Sequence, residues 1–325
     1  MSQTPSQCRV VMLGTGEFAL PTFERLCDRG WNMVALVTQP DRPQGRRQEL
    51  IPAAIKVAAQ QRGIDVFQPE SINAPESLDQ LRRFEPDLLV TAAYGQILSA
   101  EALAVPKLAA INLHASILPA YRGAAPIARA IQRGETVTGV TVIRMTPQLD
   151  AGGMLAVART PIDPDETAGE LEDRLAALGA PLVEETLERL LAGTVEELPQ
   201  DPTQATRAPK LRKEESRIDW SQTARTIHNH VRALHPWPLA DTLWTPRGRP
   251  QVRLIVLKTQ VESDDPTIAN VSFGTAWIVE PKRLVVSCGA GTLLALREVQ
   301  IPGKKPMPIA AFLNGYPVAP GDRFE

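Results

Sequence analysis

Apolar and polar positions along this chain fall into two rhythms. Short apolar runs at Arg9–Leu13, Met33–Thr38, Asp65–Phe67, Asp87–Thr91 and Ala109–Leu113 have the length and composition of strands. Between them, Pro52–Arg62 and Pro75–Arg83 read as helices. Strands that alternate with helices imply a parallel sheet with right-handed crossovers. Ala124–Gln132 reads as a further helix closed by Arg133 and Gly134, followed by strands at Val140–Met145 and Met154–Thr160. From Glu166 to Leu191 the pattern is mostly helical, with Leu171, Leu175, Leu178 and Leu182 forming a core stripe and an interruption expected at Gly179, Ala180 and Pro181.

The rhythm changes after residue 197. Leu198 to Lys210 holds Pro199, Pro202 and Pro209 with no period, which is the composition of a linker. Beyond it, Ser221 is placed to cap a helix reaching Leu234. Short β-like runs then follow at Ala240–Trp244, Val252–Thr259, Thr275–Val279, Leu284–Cys288 and Thr292–Val299. That density of strands and turns suggests a small barrel of the OB type, a frequent nucleic-acid binder. The expected fold class is α/β, with a doubly wound Rossmann-like parallel sheet over residues 1–197, a linker over 198–210 and an OB-like β-barrel over 211–325.

Composition narrows the class. A chain of 325 residues can bury two cores, and 43% hydrophobic with 22% charged residues is the balance of a soluble globular protein. It has no apolar run of about eighteen residues, and Met1–Arg9 lacks the apolar core of a signal peptide, so a cytoplasmic protein with no membrane contact is expected. Cys8, Cys27 and Cys288 are odd in number and widely spaced, which favours neither a disulfide framework nor a zinc site. The net charge of −2 hides an asymmetry, −7 over residues 1–209 against +5 over 210–325. A basic C-terminal half fits a polyanionic partner, although a solvated charged face accounts for it equally well.

Candidate chemistry centres on Ala109–Pro126. Side chains alternate along a strand, so Asn112 and His114 share one face while Ile111 and Leu113 share the other. A strand covered by helices on both faces should be uniformly apolar. An amide and an imidazole at its carboxyl end therefore suggest a cleft, the usual place for a ligand in an open α/β sheet. Asp150, in a loop after the next strand, adds a carboxylate. Together the three make a minimal set for acyl transfer, with a polariser, an acid or base, and an orienter. A lone histidine at this position is otherwise a satisfied structural residue.

Two other stretches compete for attention. Gly14–Ala19 has a dinucleotide-like glycine spacing with Asp41 downstream, but Asp41 follows Gln39 and Pro40 beyond the strand end, so the glycines read better as a tight turn. Gln39–Glu49 is a polar, aperiodic loop carrying Arg42, Arg46 and Arg47, either functional or a solvated surface loop. Ala92–Leu98, after another strand, could wall a flat aromatic ligand, with ordinary core packing the alternative for Ile97 and Leu98.

The run from Asn112 through Ile127, with Asp150 downstream, closely resembles the signature of the folate-dependent formyltransferases. Thr38–Pro43 with Gly45 and Arg46, Arg217–Trp220, His235–Pro238, Gly303–Lys305 and Pro320–Phe324 resemble marks of the branch that acts on initiator tRNA. The resemblance implies transfer of a formyl group from 10-formyltetrahydrofolate, as donor co-substrate, to the α-amine of methionyl initiator tRNA for translation initiation. It implies that Asn112, His114 and Asp150 are catalytic and that Ser116, Ile117, Leu118 and Pro119 line the folate. The Gln39–Glu49 loop, through Arg42 and Arg46, would meet the acceptor end of the tRNA, and Lys210, Lys213, Lys304 and Lys305 would touch phosphates. No metal is expected, since hydrogen bonding and proton transfer cover the chemistry, and the protein is expected to be a monomer. Relatives acting on an amino sugar nucleotide, or hydrolysing the folate to formate, share the Asn/His/Asp set. A non-catalytic RNA-binding protein is the reading from another class. The chain departs from the family pattern at Gly16, where Pro is frequent, at Ala120 and Tyr121, where Arg and Trp are frequent, and at Gly153, where an acid is common.

Overall fold

A computed structural model describes residues 4–44, 49–246, 250–262, 271–279 and 282–325. The first part of the chain runs β1 (Arg9–Gly14), α1 (Leu20–Asp28), β2 (Asn32–Val37), β3 (Pro43–Gln44), β4 (Glu49–Leu50), α2 (Ala54–Gln61), β5 (Asp65–Phe67), α3 (Pro75–Arg83) and β6 (Leu88–Ala92). It continues through α4 (Ala100–Leu103), β7 (Ala109–His114), α5 (Pro126–Gln132), β8 (Val137–Arg144), β9 (Met154–Pro161) and α6 (Ala168–Ala192).

Seven strands form one sheet in the order β5-β2-β1-β6-β7-β8-β9. The five from β5 to β7 are parallel, as alternation with helices requires, and β8 and β9 extend the sheet antiparallel. The strands at its centre are almost wholly apolar because both faces are covered. The order turns back between β1 and β6, and β7 lies just beyond that switch point, where the carboxyl ends of strands offer a crevice.

The helix α6 is continuous through Pro181 where the sequence suggests a break. Proline inside a helix costs about 3 kcal/mol. The buried face of α6, which includes Leu171, Leu175, Val183 and Leu187, outweighs that at about 1.5–3 kcal/mol for each large side chain. Gly179 has its own reason: a Cβ there would lie 2.5 Å from Leu113 Cδ2, so glycine lets α6 rest closely on the back of β7.

The chain folds as two compact units, Met1–Pro126 with Val137–Pro161 and Leu171–Pro209, and Ile127–Thr136 with Ile162–Glu170 and Lys210–Glu325. Leu198–Pro209, which reads as linker in the sequence, belongs to the first unit. Leu198 and Met154 exchange two backbone hydrogen bonds of 2.8 and 2.9 Å, and Ala208 N–H donates to Arg122 O at 2.7 Å. Such isolated bridges leave no periodic trace.

The second unit contains α7 (Ala224–Ala233), β10 (Ala240–Thr245), β11 (Val252–Val261), β12 (Ala276–Val279), β13 (Arg283–Ser287), β14 (Leu293–Gln300), β15 (Met307–Pro308), α8 (Ile309–Gly315) and β16 (Arg323–Phe324). Its sheet runs β12-β13-β14-β11-β10-β16, entirely antiparallel, and a Thr275–Arg323 bridge joins the ends into a nearly closed barrel. Closure removes free strand edges. Trp244, Phe312, Phe324, Leu254 and Leu294 fill the interior. The helix α7 is capped by Thr223, whose side chain accepts from Thr226 N–H, and not by Ser221, whose hydroxyl turns back to Asp219 at 2.6 Å.

Candidate active site

The pleat of β7 places Asn112 and His114 on one face, opposite Leu113. His114 is only 5% exposed, so each ring nitrogen must find a protein partner. Nε2 lies 3.0 Å from the carbonyl oxygen of Tyr121. A carbonyl only accepts, so Nε2 carries a proton and Nδ1 is the nitrogen that gains or loses one. Nδ1 faces Asp150 Oδ2 at 3.6 Å, and the same oxygen accepts the Gly123 N–H at 2.8 Å. Imidazole and carboxylate thus face each other at slightly more than hydrogen-bond length. Asn112 is partly exposed, and among the described residues its amide has no hydrogen-bond partner.

The loops around these groups are held against their own preferences. Tyr121 at φ +64° and Asp150 at φ +51° are both left-handed. Each such residue costs about 1–3 kcal/mol and persists only where its surroundings over-determine it. Here Tyr121 N–H donates to Thr206 Oγ1 at 2.8 Å, and Arg122 N–H to Thr206 O at 2.8 Å. Ala125 N–H donates to Ala208 O at 3.2 Å. Gly123, at φ +127°, passes so close that a Cβ would lie 2.6 Å from Ala208 O. The 206–208 strap is therefore part of the site's framework, and nothing in the residue pattern marks it.

The other candidate residues fall in varied settings. Ser116 and Leu118 are buried: Ser116 Oγ donates to Ala120 O at 2.7 Å, and Thr141 Oγ1 donates to Ser116 O while accepting from Leu118 N–H. These two shape the loop, whereas Ile117 and Pro119 retain exposed surface. In Ala92–Leu98, Tyr94 and Leu98 are core residues and Ile97 is 64% exposed. Burial pushes the Tyr94 phenol up.

Asp41 is held below the usual carboxylate range by hydrogen bonds from Lys56 and Gln68, which occupy it and leave no ribose-binding acid. Arg42 is exposed and paired with Glu70 at 2.8 Å. Arg46 and Arg47 lie outside the described residues. At Gly153 a Cβ would meet the side chain of Glu197, which pairs with Arg144 at 2.8 Å and would have to shift.

In the second unit Lys210, Lys213 and Lys305 are exposed, and Lys304 Nζ sits 2.6 Å from Tyr316 Oη and 5.3 Å from its ring centroid. The depression lined by Asp163, Asp165, Glu166 and Glu170 is acidic and suits no anionic ligand. Among the described residues no cluster of three or more His, Cys, Asp or Glu is placed to hold a metal ion. No helix among them is long and apolar enough to cross a membrane.

The chain is similar to known proteins over nearly its whole length. The formyl transferase family model matches residues 8–187, and the model of the formyl transferase C-terminal domain matches residues 210–317. The chain is 45% identical over 306 residues to a methionyl-tRNA formyltransferase of Geobacillus thermodenitrificans, covering 94% of this chain and 93% of that one. It is also 45% identical over 314 residues to the methionyl-tRNA formyltransferase of Moorella thermoacetica, covering 97% and 98%. Among solved structures, an N-formyltransferase from Helicobacter canadensis, in complex with folinic acid and dTDP-3-aminofucose, shares the fold. Its TM-score is 0.64 at 16% identity, covering 89% of this chain and 98% of that one.

Proposed function

The chain belongs to the formyl transferase family, and we propose from that premise that it transfers the formyl group of 10-formyltetrahydrofolate to the α-amine of methionyl initiator tRNA, acting in the cytoplasm as a monomer. It is a formyl-transferring enzyme. The observation that carries the chemical reading is the pairing of His114 with Asp150, whose Oδ2 lies 3.6 Å from His114 Nδ1, at the carboxyl end of the strand face that Asn112 shares.

The attacking amine brings its own nucleophilicity, since an α-amino group titrates near 8 and a usable fraction is neutral at pH 7. No covalent intermediate on the enzyme is required. A bond forms between the amine nitrogen and the formyl carbon, and negative charge collects on the formyl oxygen. The unpartnered amide of Asn112 donates to that oxygen, and a protonated His114 places positive charge beside it. The tetrahedral adduct then collapses, the carbon–nitrogen bond to the folate breaks, and the folate nitrogen takes up a proton.

His114 and Asp150 work as one proton-handling pair. Because Nε2 is committed to Tyr121 O, the mobile proton resides on the Nδ1 side, facing the carboxylate. Asp150 accepts the proton shed by the amine, directly or through water, and His114 returns one to the departing folate nitrogen. Ile117 and Pro119 line the folate, with Ser116 and Leu118 holding the loop behind them. Arg42, Arg46, Lys210, Lys304 and Lys305 meet the tRNA backbone. Phosphate contacts need only placed charge, so Arg42 exchanges its exposed Glu70 partner at little cost.

One assay tests the whole reading. The protein is incubated with formyl-labelled 10-formyltetrahydrofolate and, in parallel, charged initiator tRNA, an amino sugar nucleotide, or buffer alone. Label should pass to the methionyl-tRNA; passage to the sugar, or release as formate at a matching rate, would refute the assignment.

A further inference from the structure

The side-chain amide of Gln200 is held by four hydrogen bonds. Its Oε1 accepts from Arg122 Nε at 3.0 Å and Arg122 Nη2 at 2.6 Å. Its Nε2 donates to Asp150 O at 2.8 Å and to Gly152 O at 2.7 Å. A guanidinium only donates and a carbonyl only accepts, so just one orientation of the amide satisfies all four bonds. The full capacity of the group is committed to two loops that carry the site, and it touches none of Asn112, His114 or the carboxylate of Asp150.

We propose that Gln200 is a positioning residue for the transfer step, clamping the Asp150 loop to the Arg122–Gly123 loop so that the carboxylate stands beside His114. Asp150 is left-handed, and its carbonyl reaches Gln200 only while it stays so. Rotating Asp150 back to an ordinary conformation breaks that bond and swings its side chain. On the other loop, Gln200 holds the Arg122 guanidinium, and the next residue, Gly123, gives its N–H to Asp150 Oδ2. Gln200 therefore fixes both the origin of the carboxylate and the donor that aims it. This rests on Asp150 being the proton acceptor of the reaction proposed above.

Gln200→Glu is the sharpest perturbation. The variant is nearly isosteric, its carboxylate still pairs with Arg122, and only the two bonds to Asp150 O and Gly152 O turn into oxygen–oxygen contacts. Gln200→Ala removes both halves of the clamp. Gln204→Ala is the control, since that amide lies in the same segment, is exposed and among the described residues bonds only Asp201.

Three quantities are measured: kcat and KM for folate and for methionyl-tRNA, the melting temperature, and the hydrogen-exchange rate of the Gly123 amide. For both Gln200 variants kcat should fall on the order of 100-fold, the loss typical of a displacement of about 1 Å, with both KM values within about threefold of wild type. The Gly123 amide should exchange at least about tenfold faster, while Gln204→Ala matches wild type throughout. A Gln200→Glu protein with wild-type kcat, or with unchanged Gly123 exchange, overturns the proposal. So does a loss confined to KM. If the wild-type protein does not formylate methionyl-tRNA, the functional reading fails, and the exchange of Gly123 still decides whether Gln200 clamps the loops.

Discussion

Replacing Asn112 by alanine should separate catalysis from stability more cleanly than any other change at the site. The side chain is partly exposed and has no hydrogen-bond partner among the described residues, so its removal leaves no buried group orphaned. Substitutions of that kind stay within about 0.5 kcal/mol in folding free energy. The barrier is another matter. Loss of one donor to a developing oxyanion costs about 2.7–4 kcal/mol, roughly 100- to 1000-fold in rate at 1.36 kcal/mol per decade. The donor acts on charge that exists only in the transition state, so kcat should carry the loss and KM for folate should hardly move. Single-turnover transfer of labelled formyl into acid-precipitable tRNA, with enzyme in excess, measures the step, and thermal melting by circular dichroism confirms the fold. His114→Ala provides the contrast, since it also strands the Tyr121 carbonyl and should cost about 1–3 kcal/mol of stability. A transfer rate for Asn112→Ala within about threefold of wild type would refute the reasoning, because no other role in the proposed chemistry is open to an unpartnered amide there.

Asp150→Asn keeps the side chain's shape and an oxygen for the Gly123 N–H but loses the charge and the proton acceptor; kcat should fall at least about 100-fold with a melting point near wild type, read by the same assay. Gly123→Ala should lower the urea unfolding free energy by about 1–3 kcal/mol for its φ of +127° alone, with more for displacing Ala208 O, and should inactivate the enzyme in proportion as the strap lifts. Burial lowers the titration of His228 and His230 in the second unit below the usual histidine range. Below a pH of about 6.5 the unfolded chain binds the extra protons first, so stability is full above that value and drains away as pH falls; His228→Gln should flatten this slope in urea midpoints measured between about pH 7 and 5.

Most of the sheet is legible in the sequence because its strands are near-continuous apolar runs bounded by turns. The same rule picks out the candidate site, since Asn112 and His114 are polar at a position where packing on both faces demands apolar residues. Other features depend on contacts that sequence spacing does not encode. Pro181 reads as a helix break because its cost is local, while the burial that outweighs it is spread along α6. Thr223 caps α7 because Asp219 already holds the Ser221 hydroxyl, a choice between two adequate caps that composition does not decide. Tyr94 follows a strand end and carries an aromatic ring, yet it is buried in the core. Gln200 and Thr206 are the hardest to see. They act on backbone carbonyls and amides of distant loops, and a backbone partner has no residue type to read.

That division follows from the kind of catalysis the site can supply. An amine that attacks unaided needs no activated nucleophile, so no residue has to display unusual intrinsic reactivity. What the protein must provide is placement: a donor where the oxygen becomes negative and a proton path between His114 and Asp150. Placement comes from backbone held in left-handed turns at Tyr121 and Asp150, the first kept there by the 206–208 strap and the second bonded through its carbonyl to Gln200. The Tyr121 carbonyl fixes which imidazole nitrogen carries the permanent proton, the Gly123 amide fixes which carboxylate oxygen points at the other nitrogen, and both belong to the loop that the 206–208 strap pins down. The candidate site is therefore as much a property of Gln200, Thr206 and Ala208 as of the three side chains proposed to meet the substrate, and substitutions that loosen the Gln200 or Thr206 contacts should change the rate before they change the fold.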